Sequence, residues 1–458
     1  MDTKNNIYQK TLVMMVMYIP FFLFTVLPLR AQKYVGGDIS LLLTYEEHGA
    51  NYLDEDGQKI SDVLAFLKGQ GLNAMRVRLF VDPSKATAKA KGQGVRQDLE
   101  YVKKLGKKIK DAGLKFMLDF HYSDTWADPG QQIAPASWAI YSWYPEDTFY
   151  KYTKESLEAL VAAGATPDFI QTGNEISFGM HWNYLDEKGQ LVDLGQFSGK
   201  VQANSAWNAY TDSNWDTFAK YLKYAGKACR EVCPKAKIII HTEQCANNPT
   251  LDVAFFKRIQ QYEIDYDIIG TSYYPYYKGP ISNLDKGLTQ LENNFPDKKI
   301  MVVETGCGYH YTVGDKDKQY YPLTYEGQRK YTEELVTMLN KHQQVNGLFW
   351  WFLEANEYGL DWNTNRVTDG WYDASLFDNE TGRALPALYE LKSFRNGEKT
   401  LGDVNGDESV DAKDIVDAVD YLMGTSKKDI PLKTIDVNND GIVNVADIVA
   451  ISDIILGS

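Results

Sequence analysis

Two glutamates stand at corresponding places in the chain, each at the end of an apolar run typical of a buried strand. Glu175 follows PDFIQTGN and Glu304 ends KIMVVE, so the two carboxyl groups are remote from each other along the chain. Glycoside hydrolysis requires two carboxyl groups that flank one bond, one protonated as a general acid and one ionised as a nucleophile or base. A single glutamate after a strand is more often a helix N-terminal charge. The pair therefore needs a fold that brings its members together.

Further polar and aromatic residues lie close to the ends of other strand-like runs. Asn174 could hydrogen-bond a sugar 2-hydroxyl. Arg76 and Arg78 alternate on one face of a strand, where one of them could hold the nucleophile ionised. The remaining candidates for the same cleft are His121, Tyr273 or Tyr274, and Trp350 or Trp351. Each alone is more often a core residue, so their joint placement at strand ends supports the interpretation.

The elements that would position these residues alternate between short apolar runs and amphipathic stretches. Strands are predicted at 34–40, 72–80, 114–120, 167–173, 236–242, 266–272, 299–305 and 345–352. Continuous apolar strands alternating with helices indicate a parallel sheet covered on both faces. Eight such units predict an α/β fold, a (β/α)8 TIM barrel, with functional side chains at the C-terminal strand ends. A doubly wound open sheet is the alternative, but no glycine-rich nucleotide-binding turn supports it.

Composition limits the remaining possibilities. Of the 458 residues, 44% are hydrophobic and 24% are charged, as in globular proteins, and the net charge of −14 disfavours a nucleic-acid partner. Aromatic residues make up 13% of the chain. Aromatic side chains suit a surface that binds sugars, although a tyrosine-rich core explains this aromatic content equally well. Neither a GxSxG nucleophile motif nor an HExxH zinc motif occurs.

The N-terminal segment has the pattern of an export signal. Lys4 and Lys10 precede an apolar run over residues 11–29, and Ala31 follows. We expect cleavage near Ala31 and a secreted protein that is extracellular, periplasmic or associated with the cell surface. A membrane anchor is the alternative. Four cysteines are compatible with disulfides, but the sequence does not determine their pairing.

The segment 402–458 is strongly acidic, carries more than half of the chain's net negative charge and contains an internal repeat. The repeated positions are Asp403, Asn405, Asp407, Ser409, Asp411 and Asp414 in the first copy and Asp436, Asn438, Asp440, Ile442, Asn444 and Asp447 in the second. Side-chain oxygens at this spacing in a twelve-residue loop, with a backbone carbonyl at position 7, are the ligands of an EF-hand-like calcium site. We therefore expect a small all-α, EF-hand-like domain at 402–458 that binds Ca2+ in both loops.

This duplicated loop and helix module resembles a dockerin domain. The resemblance implies calcium ligands at the repeated positions, with Asp414 and Asp447 closing the two loops. It also implies docking onto a cohesin-like or cell-surface partner. Gly441 keeps the usual glycine at position 6 of the second loop, whereas the first loop has Glu408 there.

Longer strings around the candidate residues are similar to those of a known enzyme family. They are GGDIS (36–40), NAMRVRLFVDP (73–83), DFHYSDTWADPGQQ (119–132) and QTGNEISFGMHW (171–182). Together they resemble glycoside hydrolase family 53, the endo-β-1,4-galactanases of clan A. The resemblance implies a secreted retaining enzyme that hydrolyses the β-1,4-galactan of pectin or type I arabinogalactan. It places a catalytic domain at 32–397, after a signal peptide at 1–31.

By position, the resemblance makes Glu175 the acid/base and Glu304 the nucleophile. Supporting or sugar-binding roles fall to Asp38, Arg76, His121, Asn174 and Trp351, and we expect Tyr273 beside them. Two alternatives remain. The same carboxyl pair could act on another β-1,4-glycan, such as mannan or cellulose. The second alternative is a catalytically silent glycan-binding surface protein, but the presence of both carboxyl groups disfavours it.

The chain departs from the family pattern in its loops. Some members bind calcium after strand seven through a DxDxHxN run, but here Asp315 and Asp317 are followed by Gln319 and Tyr321, which argues against that site. Strand eight continues into Phe352-Leu353-Glu354-Ala355 in place of WEP. The loops at 183–210 and 354–384 are long and should shape the outer sugar subsites. Four tryptophans lie in or near them: Trp207, Trp215, Trp362 and Trp371.

Overall fold

A closed barrel of parallel strands forms the larger part of the molecule. The computed structural model describes residues 32–139, 145–203, 209–211, 214–311, 319–370, 373–396, 402–405, 410–426, 430, 432–438 and 440–456. Among these residues, eight strands close one barrel: β1 (Tyr34–Asp38), β2 (Ala74–Leu79), β3 (Lys115–Phe120), β4 (Phe169–Thr172), β5 (Lys237–Thr242), β6 (Ile268–Tyr273), β7 (Lys299–Thr305) and β8 (Val345–Trp350). Sequential strands pair in parallel and β8 returns to β1. The predicted (β/α)8 barrel is therefore confirmed.

Helices lie between consecutive strands. The main ones are α1 (Val63–Gly69), α2 (Leu99–Asp111), α3 (Pro145–Ala162), α4 (Trp215–Val232), α5 (Pro249–Gln261), α6 (Ile281–Asn294), α7 (Tyr325–Leu339) and α8 (Pro386–Glu390). Shorter helices span Leu42–His48, Ala88–Gly92, Ala136–Ala139, Pro275–Lys278 and Lys392–Asn396, with 3₁₀ turns at Pro83–Lys85 and Gly195–Phe197. Across the described ranges, no helix combines the length and apolar character needed to cross a bilayer.

The loops after β3 and β4 contain small strands that the sequence analysis did not predict. Ile133–Ala134, Asn183–Leu185 and Leu191–Asp193 form one small sheet, and Gly179–Met180 pairs with Gly199–Lys200. The long loop at 183–210 is therefore partly ordered by backbone hydrogen bonds rather than irregular throughout.

α2 shows how the sequence produces the outer layer. Asp98 caps the helix by accepting a 2.8 Å hydrogen bond from the backbone N–H of Tyr101. Val102, Leu105 and Ile109 are buried and recur at helical spacing, so one face packs on the sheet while the lysines between them face solvent.

Side-chain alternation along β2 separates the barrel interior from the outer core. Ala74 belongs to an inner apolar layer with residues of other strands, such as Met117 and Phe349. Arg76 and Arg78 follow at intervals of two and therefore share the inward face. Close approach of β1 requires a glycine at position 36, because a Cβ there would lie 1.6 Å from the carbonyl oxygen of Ala74.

Several sequence predictions change in detail. β8 ends at Trp350, so Trp351 begins the following loop rather than lying in the strand. Within the described chain the cysteines are free and buried: Cys229, Cys233, Cys245 and Cys307. The predicted signal peptide lies outside the described residues.

The C-terminal tail is helical. It contains α9 (Ala412–Leu422), α10 (Leu432–Ile435) and α11 (Val445–Leu456). Its own small core includes Val404, Ala418, Ile435, Val437 and Ile451. Val404 and Val437 occupy equivalent positions of the sequence repeat, and so do Ala418 and Ile451, so the two copies contribute matching residues to one core.

Candidate active site

A β-bulge in β7 turns Glu304 into the barrel. The paired register skips one residue, so Glu304 rather than Val303 lies opposite Ser272 on β6. Val303 packs in the inner apolar layer. Glu304 directly after it also faces inward, and its Oε1 lies 2.8 Å from Arg76 Nη2. Bulges commonly re-aim a side chain next to an active site, and this one has that effect.

Arg76 is the central cation of the barrel mouth and is fully buried. Its Nη1 lies 3.0 Å from Asp38 Oδ2, and its Nη2 lies 2.7 Å from Asp119 Oδ2. The same Nη2 donates to Asn174 Oδ1 at 2.9 Å. Burial alone would lower the pKa of Arg76, but the neighbouring carboxylates Asp119, Glu304 and Asp38 raise it above its ordinary value. The guanidinium therefore holds Glu304 in place as a permanent positive charge.

Trp351 covers both inward arginines. Its ring lies 5.5 Å from the guanidinium carbon of Arg76 and 4.8 Å from that of Arg78. The ring centre of Trp126, in the loop after β3, lies 4.9 Å from the guanidinium carbon of Arg78. Arg78 Nη1 lies 2.7 Å from Asp38 Oδ1. Cation–π contacts in a desolvated site fix the orientation of both partners. Trp351 is thereby held at the edge of the cleft.

Glu175 occupies a strained position beyond the end of β4. Its backbone has a φ of 47°, in the left-handed region that residues other than glycine rarely adopt. Ile176 N donates a 2.9 Å hydrogen bond to His241 O, which ties this turn to β5. The carboxyl group hydrogen-bonds to Ser272 on β6. Strain of this kind at a cleft is typical of functional residues.

The two candidate catalytic carboxyl groups are held in different electrostatic states. Burial raises the pKa of Glu175 well above its usual range, and the negative charges of Glu304 and Glu243 raise it further. Burial also raises the pKa of Glu304, to about 7, but the positive charge of Arg76 opposes that rise. Glu175 is therefore the protonated member and Glu304 the member that ionises first, which is the division of roles between an acid and a nucleophile.

A cavity of about 850 Å³ opens above these groups. Glu175, Glu304, Asn174 and Trp351 all line it. The wall also includes Trp126, Asp128, Glu243, Tyr274, Tyr277 and Lys278. Tyr274 donates a 3.0 Å hydrogen bond to Glu304 Oε2. Aromatic rings and a few convergent polar groups are the usual lining of a sugar-binding cleft.

Four of the predicted supporting or sugar-binding residues, of which Arg76 is one, lie away from the cavity wall. Asp38 and His121 are buried beneath it, where His121 Nε2 lies 3.1 Å from Asp119 Oδ2. Tyr273 faces the outer core, where its hydroxyl donates a 2.8 Å hydrogen bond to Gly279 O. Tyr274, the neighbour that the sequence analysis left as an alternative, lines the cavity instead.

His241 is a buried neighbour of the site that the sequence analysis did not identify. Gln171 Nε2 lies 2.9 Å from its Nδ1, and its Nε2 lies 2.8 Å from Ser272 Oγ. Burial and the nearby charge of Arg76 lower the pKa of His241 well below its usual value. The imidazole of His241 is therefore neutral. If its Nδ1 accepts a hydrogen bond, its Nε2 carries the proton and donates to Ser272, which in turn contacts Glu175. The position at the end of β5 was the signal available in the sequence.

Glu243 is a further acidic residue of the cavity wall, and the sequence analysis missed it as well. It follows β5 directly, is 1% exposed, and accepts a 2.7 Å hydrogen bond from Ser177 Oγ. Burial raises its pKa, and the positive charge of Lys278 lowers it. Its place after a strand end matches that of Glu175 and could have been found by the same rule.

The tryptophans of the long loops have different environments. Trp215 is fully buried at the start of α4, where it packs against Phe218 and Phe255, so it cannot contact a sugar. Trp362 is 48% exposed, with the Arg366 guanidinium 3.5 Å from its ring centre. The other two, Trp207 and Trp371, lie outside the described residues.

The two loops of the tail fold around equivalent aspartates. Asp414 is fully buried and accepts hydrogen bonds of 2.8–2.9 Å from the N–H groups of Val404, Asn405 and Asp411. Asp447 is also fully buried and accepts 2.8–3.3 Å hydrogen bonds from the N–H groups of residues 437, 438 and 444. The two sets of donors occupy equivalent positions of the sequence repeat, which is therefore also a structural repeat.

The tail's donor set suits a hard cation, although its side chains do not converge in the described residues. The carboxylates of Asp436 and Asp440 accept hydrogen bonds from backbone N–H groups. Gly441 N, for example, donates to Asp436 Oδ2 at 2.9 Å. Across the described ranges, no three His, Cys, Asp or Glu side chains are gathered as a metal would hold them. Asp407, Ser409, Asp315 and Asp317 lie outside those ranges. The carboxylate and amide oxygens at alternate loop positions fit calcium chemistry.

A (β/α)8 barrel with two carboxyl groups, half-buried Glu175 beyond β4 and buried Glu304 in β7, facing one aromatic cleft, is the arrangement of a glycoside hydrolase. Comparison with known proteins specifies the family. The family model of glycosyl hydrolase family 53 matches residues 34–391, so the chain belongs to that family.

Relatives and solved structures agree with this assignment. An uncharacterised protein from the bgaB 5′ region of Niallia circulans is 31% identical, covering 78% of this chain and 93% of the relative. An endo-β-1,4-galactanase of Bacillus subtilis strain 168 is 26% identical, and the match covers 79% of this chain and 86% of the relative. The family 53 catalytic domain of Ignisphaera aggregans superposes with a TM-score of 0.66 at 29% identity, covering 80% of this chain and 96% of that domain. The dockerin type I model matches residues 401–456.

Proposed function

We propose that the chain is a secreted, retaining endo-β-1,4-galactanase that hydrolyses the β-1,4-galactan of pectin or type I arabinogalactan. The observation that carries this proposal is the pair Glu175 and Glu304 in one cavity, the first kept protonated and the second held by Arg76. The family and the name of the Bacillus subtilis relative support galactan as the substrate.

In the first step, Glu304 attacks the anomeric carbon while Glu175 protonates the glycosidic oxygen of the leaving sugar. Retention through a covalent glycosyl-enzyme requires the two carboxyl groups to lie about 5 Å apart. Arg76 and the Tyr274 hydroxyl each contact one oxygen of Glu304, at 2.8 and 3.0 Å. These contacts stabilise the attacking carboxylate and orient it.

In the second step, Glu175 acts as a base on the incoming water. The negative charge of Glu304 raises the pKa of Glu175 in the free enzyme. That charge disappears when Glu304 forms the glycosyl ester, so the pKa of Glu175 falls when a base is needed. The same electrostatic contact therefore serves both steps.

A polysaccharide panel tests the substrate. We expect release of reducing ends from β-1,4-galactan and none from mannan or cellulose, with oligosaccharides of several lengths as early products. Proton NMR of the first products should show the β anomer before mutarotation. Release from mannan or cellulose but not from galactan would assign another β-1,4-glycan. Initial α product would contradict retention.

Two variants test the assignment of roles. Glu304→Ala should abolish hydrolysis while leaving oligosaccharide binding measurable by calorimetry. Glu175→Ala should lower kcat/KM on galactan by about 10²–10⁴ but affect a dinitrophenyl galactobioside far less, because that leaving group needs no proton. Azide should restore turnover of the aryl substrate by Glu175→Ala and yield a β-glycosyl azide. Comparable losses on both substrates would contradict the acid role.

We also propose that the tail binds Ca2+ through the two repeated loops and docks the enzyme onto a cohesin-like or cell-surface partner. The dockerin type I match and the duplicated cradles around Asp414 and Asp447 support this proposal. The proposed organisation is a signal peptide at 1–31, a catalytic domain at 32–397 and the tail at 402–458. Mass spectrometry of the exported protein tests the cleavage near Ala31.

A further inference from the structure

The strand order divides the barrel mouth into two arcs between the strands of the catalytic carboxyl groups. β5 and β6 lie between β4 and β7 on one side, and β8, β1, β2 and β3 lie on the other. Arg76, which contacts Glu304, and Trp351, which packs on Arg76, belong to the longer arc, whereas Tyr274, the other contact of Glu304, follows β6 in the shorter arc. Glu243 after β5 and Lys278 after β6 belong to the shorter arc, and both line the catalytic cavity.

The chemistry of hydrolysis assigns a different half of the substrate to each arc. The nucleophile bonds to the sugar that the enzyme retains, and the acid/base protonates the oxygen of the sugar that leaves. Since Arg76 holds the nucleophile from the longer arc and Trp351 lines the cavity there, the retained sugar lies toward the longer arc. The leaving sugar then extends past Glu175 toward the shorter arc.

Glu243 is held so that it can accept further hydrogen bonds. Ser177 Oγ donates to its Oε2 at 2.7 Å, and Gln244 Nε2 donates to its Oε1 at 2.5 Å. Each carboxylate oxygen has two lone pairs, so the group keeps acceptor capacity after these contacts. The carboxyl group lines the cavity that would hold the leaving sugar.

Lys278 and Tyr277 supply complementary contacts from the short helix Pro275–Lys278. Lys278 is half-buried and lines the cavity, and its positive charge lowers the pKa of both Glu175 and Glu243. Tyr277 is 49% exposed, and the buried Tyr276 packs against its ring edge to face at 5.0 Å. A fixed, partly exposed ring can stack on the apolar face of a pyranose.

We propose that Glu243, Lys278 and Tyr277 form the subsite that binds the leaving sugar, with the carboxylate and the ammonium hydrogen-bonding its hydroxyl groups while the tyrosine ring stacks on it. This inference rests on the proposed hydrolysis of a β-1,4-glycan. It assigns the three residues to substrate specificity, because they contact the part of the substrate that the nucleophile does not touch.

The experiment compares two substrates that differ only on the leaving side. β-1,4-galactotetraose has leaving sugars, whereas phenyl β-1,4-galactobioside has a leaving group that requires protonation but carries no hydroxyl groups. Lys278→Met and Glu243→Gln should each lower kcat/KM on the tetraose about tenfold more than on the phenyl glycoside, mainly through KM, since each loses a charged hydrogen bond. Lys286→Met, an exposed lysine of α6, serves as the matched control.

The outcomes separate this inference from the proposed function. If Lys278→Met lowers kcat/KM equally on the two substrates, Lys278 acts only on the charge of Glu175, and the subsite is overturned. The same conclusion follows if the basic limb of the pH profile moves by the same amount for both substrates. No loss on either substrate would overturn it as well. A wild-type protein inactive on galactan and on the phenyl glycoside would instead refute the proposed function.

Discussion

Nη2 of Arg76 lies 2.8 Å from one oxygen of Glu304 and 2.7 Å from Asp119, while Nη1 lies 3.0 Å from Asp38. One cation thus contacts three acidic side chains inside the barrel. It joins β1, β2, β3 and β7, and its contact with Asn174 adds the turn after β4. The catalytic geometry and the stability of the barrel mouth consequently depend on the same residue.

Removing this charge should destabilise the fold as well as the reaction. Arg76→Met leaves Asp119 and Glu304 without this counterion, and we expect a loss of about 3 to 5 kcal/mol in the free energy of urea unfolding. Arg329→Met removes a half-buried arginine with several acidic partners on α7 and should cost at most about 1 kcal/mol. Arg76→Lys should retain the fold with reduced activity. Similar losses for Arg76→Met and Arg329→Met would contradict the role of Arg76.

The two adjacent tyrosines should behave differently. In Tyr274→Phe, Glu304 loses a hydrogen bond to its ionised form, so its pKa rises. Because the proposed mechanism needs ionised Glu304, the acidic limb of kcat/KM should move to higher pH by about one unit. Tyr273→Phe is the matched control, since it loses only the bond to Gly279 O. An unshifted limb in Tyr274→Phe, or a shift of equal size in Tyr273→Phe, would contradict the assignment.

Glu354 should make the barrel less stable as the pH rises. Burial and the negative charge of Asp38 raise its pKa to about 8, and its Oε1 accepts a 2.6 Å bond from Leu41 N. The folded state keeps a proton that the unfolded state has lost above pH 5, so stability falls between pH 5 and pH 8. Glu354→Gln keeps the acceptor but removes the titration. Between pH 5 and pH 8, the free energy of urea unfolding of the variant should rise by about 1 to 3 kcal/mol relative to that of the wild type.

An exposed acid provides the control for that experiment. Glu100→Gln on α2 should leave the pH dependence of unfolding close to that of the wild type, because Glu100 is largely solvent-exposed. Parallel unfolding curves for wild type and Glu354→Gln across pH 5 to 8 would show that Glu354 does not titrate in this range.

Calcium should bind the tail in two equivalent steps. Titration calorimetry of the full chain should give two Ca2+ per molecule, with one site lost in Asp414→Ala and one in Asp447→Ala, because each closes one loop. Asp453→Ala, an exposed residue of α11 outside both loops, should retain both sites. Two sites in each loop variant, or none in the wild type, would contradict calcium binding by these loops.

Much of this arrangement could be predicted from the sequence, because strand ends in a barrel converge. That rule identified Glu175, Glu304 and Asn174, but it left Trp350 or Trp351 open, and only the family resemblance indicated Trp351. It could not choose between Tyr273 and Tyr274, because the choice depends on which face of β6 is turned inward. His241 and Glu243 stand at an equally informative strand end and were missed, because no second pattern accompanied them. The contacts among buried charges depend on tertiary distances that no local spacing encodes.

The bulge at Val303 lets β7 present two consecutive residues to the barrel interior. Val303 fills the apolar layer, and Glu304 directly after it reaches Arg76. If the strand kept its residues but lost the bulge, simple alternation after Met301 and Val303 would turn Glu304 outward, toward the helices. Deleting Val303 would instead restore regular alternation with Glu304 still inward, but it would leave a gap in the apolar layer. The active site therefore constrains the number of residues in β7 as well as their types, a requirement that a comparison of catalytic residues alone would not reveal.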